Sequence, residues 1–156
     1  EVDELEEAFD LGVEGRAAID GNFGNWKMAF SGAATFTNAV ISETDAPDAA
    51  ASGLQLIYTP RILWKGSLHL GYKKFSIRYD HTYTGHRYVT TDHSHFLIPF
   101  DVAQCTLSWE HNFGEHRLLL TASVKNIYDE HYQVIAWRAM PGRSFEAGLF
   151  YTFGQR

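Results

Sequence analysis

An alternation of apolar and polar side chains, with a period of two, runs through most of this 156-residue chain. Between positions 26 and 36 the even-numbered residues are Trp, Met, Phe, Gly, Ala and Phe, and the odd-numbered ones are Lys, Ala, Ser, Ala and Thr. Successive side chains of a strand point to opposite faces of a sheet, so this pattern predicts a strand with one apolar face. The same pattern, complete or weaker, predicts seven strands, at about 11–20, 26–36, 62–72, 75–83, 101–111, 117–129 and 145–153, and no amphipathic helix.

The connectors between these predicted strands alternate in length. The short connectors are residues 21–25, 73–74 and 112–116, and the long ones are residues 42–61, 86–99 and 130–144. Successive connectors of an up-and-down sheet lie at opposite ends, so one end should carry tight turns and the other large loops. Strands of about ten residues, tilted near 40°, span about 25 Å, which is the apolar height of an outer-membrane barrel.

Aromatic residues collect at both ends of the predicted strands. Beside the short connectors and the C-terminus they are Phe23, Trp26, Tyr72, Phe75, Trp109, Phe113, Tyr151 and Phe153, and beside the long loops they are Phe36, Tyr58, Tyr83, Tyr88, Phe100 and Tyr128. Such rings suit a lipid headgroup boundary, because the ring body lies in hydrocarbon and its polar edge in water. The alternative is a soluble all-β ligand-binding protein, a sandwich or lipocalin-like barrel with these rings in its core.

Composition removes several classes of protein. No run approaches the roughly 20 apolar residues of a membrane-spanning helix. The formal net charge is −6 and the basic residues are scattered, which disfavours nucleic acid as a partner. A single cysteine, Cys105, excludes an internal disulfide and a zinc-thiolate cluster.

An odd number of strands constrains the assembly. Single-chain bacterial barrels have an even number, and an open ribbon would expose two edges and a large apolar face. We therefore expect residues 1–156 to be one portion of a larger barrel. A small self-contained outer-membrane barrel with a structural or adhesion role would need an eighth strand in the first ten residues. Five acids among the first seven residues make a poor lipid-facing strand.

The C-terminal segments resemble those of a known family. Residues 124–132 read Val-Lys-Asn-Ile-Tyr-Asp-Glu-His-Tyr, residues 140–145 read Met-Pro-Gly-Arg-Ser-Phe, and a final alternating strand follows. This tail resembles that of TonB-dependent outer-membrane receptors, with an apolar-x-Asn-Leu-Phe-Asp-x-x-Tyr segment, a Pro-Gly-Arg-x-Phe segment and a strand closing on an aromatic residue. Residues 58–61 and 85–88 resemble the family's strand entry and exit. The terminal aromatic would correspond to Phe153, although three more residues follow it here.

The tail motifs also have a local physical interpretation. Asn126 and Asp129 suit turn conformations and can cap their own backbone where the sixth predicted strand leaves the sheet. Pro141 fixes φ and lacks an N–H, and a positive φ at Gly142 would let the chain turn sharply before the last strand.

The resemblance implies an all-β fold, a transmembrane antiparallel β-barrel in which residues 1–156 are the C-terminal seven-strand arc of a 22-stranded barrel. It implies a receptor in the bacterial outer membrane for active uptake of a scarce nutrient such as a ferric siderophore, haem or cobalamin. The implied partners are the remaining strands and the plug domain of the same receptor, the TonB energy-transducing system, outer-membrane lipid and the nutrient. Neither enzymatic activity nor a resident cofactor or metal is implied.

Four loop residues are candidate contacts to the nutrient, namely His93, His95, Trp137 and Arg138. Alternate residues of an extended loop point opposite ways, so His93 and His95 would converge on a metal ion only if the loop turns. Trp137 and Arg138 suit either stacking on a ligand or packing within the loop.

Two further groups of polar residues are considered for catalysis and for charge pairing. A catalytic Ser94 beside the two histidines is disfavoured, because neighbouring residues of a strand face apart and no oxyanion donor accompanies them. On the polar side of the strands, Arg78, Asp80 and Glu110 should pair with one another or with a plug.

Overall fold

A computed structural model describes residues 8–41 and 53–154 of the protein. The strands are β1 (Ala8–Phe23), β2 (Trp26–Ile41), β3 (Ile62–Tyr72), β4 (Phe75–Thr84), β5 (Arg87–Tyr88), β6 (Phe96–Leu97), β7 (Phe100–Phe113), β8 (His116–Lys125), β9 (Gln133–Ile135), β10 (Arg138–Ala139) and β11 (Ser144–Thr152). These two ranges contain no helix with the length and apolar character needed to cross a bilayer.

The seven long strands form one antiparallel sheet in the order β1, β2, β3, β4, β7, β8, β11. Each long strand pairs with the next one along the chain, as in an up-and-down meander. The predicted all-β class and the seven main strands are therefore confirmed. β5 pairs with β6, and β9 with β10, as small hairpins within the second and third long loops. In the described part of the chain there is no second sheet of long strands, in contrast to a sandwich.

The register joins the apolar sides of all the strands into one surface. Phe30 lies opposite Ile19 in β1 and Leu68 in β3, and Leu68 lies opposite Tyr79 in β4. Directly opposed residues of an antiparallel pair share a face, and a slip by one residue would move a whole strand's set to the other side. We call this side the apolar face, and the side that carries Ser67 and its neighbours across the strands the polar face.

Large side chains of the apolar face are exposed. Ile19 has 70% of its surface exposed, Leu149 has 68% and Leu107 has 51%. Monomeric water-soluble proteins rarely expose contiguous apolar surface on this scale, so the face indicates an interaction surface.

Aromatic rings cover glycines within this face. The ring of Phe30 lies 3.6 Å from where a Cβ on Gly32 would stand, and the ring of Trp64 lies 3.7 Å from the corresponding point on Gly66. Gly32 and Gly66 are directly opposed. The rings thus cover bare backbone that would otherwise have no side chain above it.

The strand ends differ from the prediction in two places. β1 and β2 contain 16 residues each, because their pairing continues from Phe23–Trp26 as far as Ala8–Ile41. β8 ends at Lys125, four residues earlier than predicted, because Asn126 adopts a φ of 50° and leaves the ladder.

The short connectors are tight turns, as predicted, and each has two residues; at 73–74 this is the predicted length, whereas the turns at 24–25 and 114–115 are shorter than the predicted connectors 21–25 and 112–116. They join the opposed pairs Phe23–Trp26, Tyr72–Phe75 and Phe113–His116. Each turn contains a residue with positive φ: Gly24 and Gly114 at 62° and Lys73 at 53°. Hairpins with two-residue loops favour such positive φ values because they match the twist of the strands.

The predicted aromatic belt beside the short turns lies on the apolar face. The rings of Trp26 and Tyr72 are in tilted contact with centroids 4.6 Å apart, and the rings of Tyr151 and Phe153 meet edge to face at 4.6 Å. The belt beside the long loops is only partly as predicted. Phe100 lies opposite Thr84 on the polar face, and Tyr88 stacks within its own loop, so neither ring belongs to an outer belt.

Buried side chains concentrate at the long-loop end of the sheet. Glycines apart, the buried residues of the described ranges are Ala39, Ile41, Gln55, Arg87, Phe100, Ala103 and Asn126. All of them lie in the long loops or in the strand ends that adjoin those loops. The fold therefore has its small core at that end.

Candidate functional site

The three long loops contact one another and form one folded surface. The Tyr58 backbone N–H donates to the Tyr88 carbonyl at 2.7 Å, and His93 Nε2 donates to the Gln55 carbonyl at 2.8 Å. These bonds join the first loop to the second. Arg87 Nη2 donates to the Gln133 carbonyl at 3.2 Å and so joins the second loop to the third.

Arg87 is the centre of this arrangement. It is only 3% exposed, and its guanidinium lies 4.9 Å from the centre of the Phe100 ring. The Phe100 ring in turn contacts Tyr132 in a tilted arrangement, with ring centroids 4.4 Å apart. Nη2 also donates to the Ile98 carbonyl at 3.5 Å, whereas Nε has no partner among the described residues. Burial lowers the pKa of Arg87, because desolvation penalises the charged form. The aromatic face and the carbonyl oxygens offset part of this cost.

Asn126 closes the third loop at its base. It is 4% exposed, and its Nδ2 donates to the carbonyls of Glu130 and Pro141 at 2.9 and 3.2 Å. Its Oδ1 accepts from the Glu130 N–H at 2.9 Å. The predicted turn role of Asn126 is therefore confirmed, with an amide that satisfies three backbone groups.

Asp129 and Arg143 add hydrogen bonds at the same base of the third loop. Asp129 has a φ of 55°, as a turn residue should, and its Oδ1 accepts from the Arg143 N–H at 2.8 Å. Arg143 Nε donates to the Ile127 carbonyl at 3.0 Å. The positive φ predicted for Gly142 is wrong, because this residue is not among those in the left-handed region. Glycine is needed there for space, since a Cβ would stand 3.0 Å from Asp129 Oδ1.

His93 and His95 do not converge. The loop turns at His93, where φ is 59°, and the imidazole stacks on Tyr88 with ring centroids 3.5 Å apart. His95 is exposed and contacts Ser94 instead. Within the described ranges no three His, Cys, Asp or Glu side chains are grouped as metal ligands.

Ser94 does contact a histidine, contrary to the expectation that neighbouring side chains face apart. Ser94 Oγ lies 2.8 Å from Asp92 Oδ1 and 2.9 Å from His95 Nδ1. The carboxylate accepts only, so the hydroxyl proton points to Asp92 and His95 Nδ1–H donates to the hydroxyl oxygen. His95 therefore does not act as a base toward Ser94, which removes the basis for a serine nucleophile.

The Asp92 carboxylate is stabilised by the same turn. The Thr90 hydroxyl, the Ser94 N–H at 3.1 Å and the Ser94 hydroxyl lower the pKa of Asp92 to about 2. Hydrogen bonds to the charged form favour ionisation. This segment is thus a self-contained anionic turn at the surface of the second loop.

Trp137 and Arg138 lie at the tip of the β9–β10 hairpin. Trp137 has a φ of 67° and is 90% exposed, and its backbone N–H donates to Gln133 Oε1 at 3.0 Å. Arg138 is exposed and pairs with Ile135 in the hairpin ladder. The indole therefore projects from the loop and does not pack within it.

A concavity of about 700 Å³ opens on the polar face below these loops. Its walls include Thr82, Gln104 and Glu146 from the strands and Tyr132 and Met140 from the third loop. It combines hydroxyl, amide and carboxylate groups with an aromatic and a thioether side chain, as a site for a mixed polar and apolar ligand would.

Charged residues of the polar face pair with one another, as predicted. Arg78 Nε lies 3.1 Å from Asp80 Oδ2, and Arg117 Nη2 lies 2.8 Å from Glu110 Oε2. Lys125 Nζ lies 2.6 Å from Glu146 Oε1 at the edge of the concavity.

Sequence reasoning did not single out the residues that organise this end. Arg87 lies in the segment 85–88, whose only signal was that of a strand exit, and nothing around Gln55 distinguishes it from a solvated loop residue. Their burial depends on contacts between loops that are 30 or more residues apart in the chain, such as His93 with Gln55 at a separation of 38.

Comparison with known proteins gives structural matches only. No family model and no curated protein matches the sequence. The ferric preacinetobactin receptor BauA from Acinetobacter baumannii has a TM-score of 0.63 and 10% identity, over 92% of this chain and 26% of that chain. The ferric yersiniabactin uptake receptor FyuA from Yersinia pestis has a TM-score of 0.63 and 13% identity, over 94% of this chain and 24% of that chain.

The chain thus spans about a quarter of the length of these two proteins, and both are receptors rather than enzymes. At such low identity the likeness concerns the fold. It confirms the predicted all-β class, because the seven-stranded antiparallel sheet has the fold of part of each of these two receptors.

Proposed function

We propose that this chain is the C-terminal arc of a TonB-dependent receptor in the bacterial outer membrane that takes up a scarce nutrient, with ferric siderophores as the first class to test. One observation carries the proposal: seven antiparallel strands share a continuous exposed apolar face, while three long loops fold together at one end. The likeness to a quarter of two receptors for ferric compounds supports the same assignment.

In this proposal the apolar face meets the hydrocarbon of the outer membrane. The aromatic belt beside the short turns, in which Trp26 contacts Tyr72, lies at the boundary of one leaflet. The polar face lines the lumen, where paired charges such as Arg78 and Asp80 face water and the plug domain. Membrane barrels alternate apolar and polar residues in this way because lipid and lumen lie on opposite sides of each strand.

Both edges of the sheet have a place in this assembly. β1 and β11 each pair with a single long strand in the described structure. The free backbone groups of an edge strand favour further pairing. We assign their partners to the remaining strands of a 22-stranded barrel, with the TonB system acting on a plug outside residues 1–156.

The nutrient would bind at the long-loop end. Trp137 offers an exposed indole for stacking, and Arg138 beside it offers a guanidinium for carboxylate or catecholate oxygens. His95 is exposed and offers Nε2, the ring nitrogen that does not contact Ser94, as a surface acceptor, whereas His93 holds the first and second loops together.

Neighbouring residues of β3 allow a test of the membrane assignment. Leu68 lies on the apolar face and Ser67 on the polar face, near the middle of the strand. Leu68→Arg should destabilise the full-length protein in lipid vesicles by about 2–4 kcal/mol, and Ser67→Arg by far less, because only the first places a charge in hydrocarbon. Heat-modifiable gel mobility and denaturant unfolding measure this. A monodisperse protein without detergent would support the soluble ligand-binding alternative, whereas equal effects of the two substitutions would show that the apolar face is not in an apolar environment.

Uptake by the full-length receptor tests the nutrient. Cells that depend on it for iron should accumulate labelled iron from a ferric siderophore, with haem and cobalamin tested in parallel. The double variant Trp137→Ala/Arg138→Ala should weaken nutrient binding about tenfold or more, since it removes a stacking ring and a charged donor. The control is His131→Ala, which alters an exposed residue of the same loop. Binding that both variants leave unchanged would contradict a role for the hairpin tip.

A further inference from the structure

The turn between β3 and β4 directs two lysines toward the apolar face. Lys73 Nζ lies 5.3 Å from the centre of the Tyr72 ring, and Lys74 Nζ lies 2.7 Å from His111 Nδ1. Tyr72 lies opposite Trp26, and His111 lies opposite Leu118, so both rings belong to the apolar face. The two ammonium groups therefore stand beside the aromatic belt of the short-turn end.

The contact between Lys74 and His111 makes His111 a hydrogen-bond donor in addition to the two lysines. A lysine ammonium has no acceptor, so His111 Nδ1 must accept its hydrogen bond and the neutral ring carries its proton on Nε2. The imidazole is held between Trp109 and Phe113, with centroids 5.6 Å from each. Lys73, Lys74 and His111, which we call the turn cluster, thus present only hydrogen-bond donors.

Neither lysine of the turn cluster forms an ion pair with a carboxylate of the described residues, although Glu110 lines a concavity of the polar face together with both of them. The ion pairs found there do not include either lysine. Glu110, next to His111 in β7, points to the polar face and pairs with Arg117. Near the long-loop end of the same face lies a carboxylate, Asp101, which contacts His81 at 3.3 Å.

We propose that the turn cluster binds the phosphate of an anionic phospholipid in the leaflet nearest the short turns. The inference rests on the proposed membrane location. Ammonium groups beside the headgroup boundary attract anionic lipid, and a phosphodiester accepts from all three donors. The acyl chains of the bound lipid would lie along the apolar face below the belt, where Leu70 is opposed to Ile77.

Native mass spectrometry of lipids retained by the full-length protein tests this site. The protein is reconstituted in bilayers containing phosphatidylglycerol and phosphatidylcholine, and the retained lipids are compared. The wild type should retain phosphatidylglycerol preferentially. The double variant Lys73→Gln/Lys74→Gln should lower that preference at least about fivefold, as expected for losing charges at the bilayer surface.

A matched control removes the same charge from the other face. Lys27 and Lys65 lie opposite Gly71 and Thr82 on the polar face, so Lys27→Gln/Lys65→Gln should leave the lipid preference unchanged. His111→Phe, which keeps an aromatic ring, should lower the preference less than the double lysine variant. An equal loss in the control pair, or no loss in the turn-cluster variant, would overturn the proposal.

Two further measurements distinguish a wrong lipid site from a wrong membrane location. Millimolar inorganic phosphate should not displace the lipid, and displacement would overturn a lipid site in favour of a free-anion site. Insertion into the bilayer is measured on the same samples by protease protection. A protein that inserts without lipid preference contradicts the lipid site alone, whereas one that does not insert contradicts the proposed function as well.

Discussion

At the short-turn end of the sheet, three two-residue turns join strands that are already paired, whereas at the long-loop end three loops pack on one another through side chains from distant parts of the chain. The short turns depend on local backbone geometry, as at Gly24 and Gly114. The long-loop end depends on buried polar groups, as at Arg87 and Asn126. Substitutions at the two ends should therefore differ in cost and in cause.

The largest effect is expected at Arg87. Arg87→Ala removes the contact with Phe100 and the hydrogen bonds to the Ile98 and Gln133 carbonyls. We expect a loss of about 4 kcal/mol, since these are buried charge-assisted contacts. Denaturant unfolding of the folded receptor measures it, with exposed Arg138→Ala expected to cost less than about 0.5 kcal/mol. Equal costs would show that the loops are not integrated with one another.

Two substitutions of Asn126 distinguish the contribution of its hydrogen bonds to stability from that of its backbone conformation. Asn126→Gly keeps access to a φ of 50° but loses the bonds to Glu130 and Pro141, so we expect a cost of about 2 kcal/mol. Asn126→Ala should cost about 1 kcal/mol more, because alanine disfavours the left-handed region. Unfolding of the two variants side by side gives the difference. Identical costs would mean that strain at this position is negligible.

At the short-turn end only conformation should matter. Gly114 has a φ of 62°, and nothing lies within 4 Å of where its Cβ would be. Gly114→Ala should cost about 1 kcal/mol, and Gly114→Asn less, because asparagine tolerates this region. The comparison is made by thermal or denaturant unfolding. A loss of stability at Gly114 as large as that at Arg87 would contradict the expected difference in stability between the short-turn end and the long-loop end.

The smallest effect concerns the acidic turn of the second loop. The pKa of Asp92 is lowered to about 2 by the Thr90 hydroxyl and the Ser94 N–H and hydroxyl, below an unfolded value of about 3.9. The ionised carboxylate therefore stabilises this turn above the unfolded value, and the contribution is lost as the pH falls toward about 2. Carboxyl-carbon NMR of labelled Asp92 measures the titration. Ser94→Ala should move the pKa upward, and an unchanged value would contradict the role of the hydroxyl.

Much of the fold is predictable from the sequence because it follows from local rules. The period of two marks the strands, and Gly or Lys at the short connectors marks the turns. The face of each residue then follows from the pleat, so the polar set that contains Arg78 and Asp80 could be assigned before any contact was known. The turn roles of Asn126 and Asp129 are local in the same sense.

The organisation of the candidate site is not predictable in this way. Gly142 looks like a turn glycine, yet its role is to leave space, because Asp129 Oδ1 lies only 3.0 Å from where its Cβ would be. His93 looks like a ligand, yet it stacks on Tyr88 and binds the Gln55 carbonyl. These outcomes depend on which loops meet, and no periodicity encodes contacts between loops.

The amino-acid sequence alone determined the strands, their two faces and the division into a turn end and a loop end, because pleat and turn geometry act over a few neighbouring residues. The tertiary structure decided that Arg87 and Gln55 are buried, that the loops form one surface, and that the lysines of one turn lie beside the aromatic belt. Burial and charge environment are properties of what surrounds a side chain, and in this protein those surroundings come from strands and loops far apart along the chain.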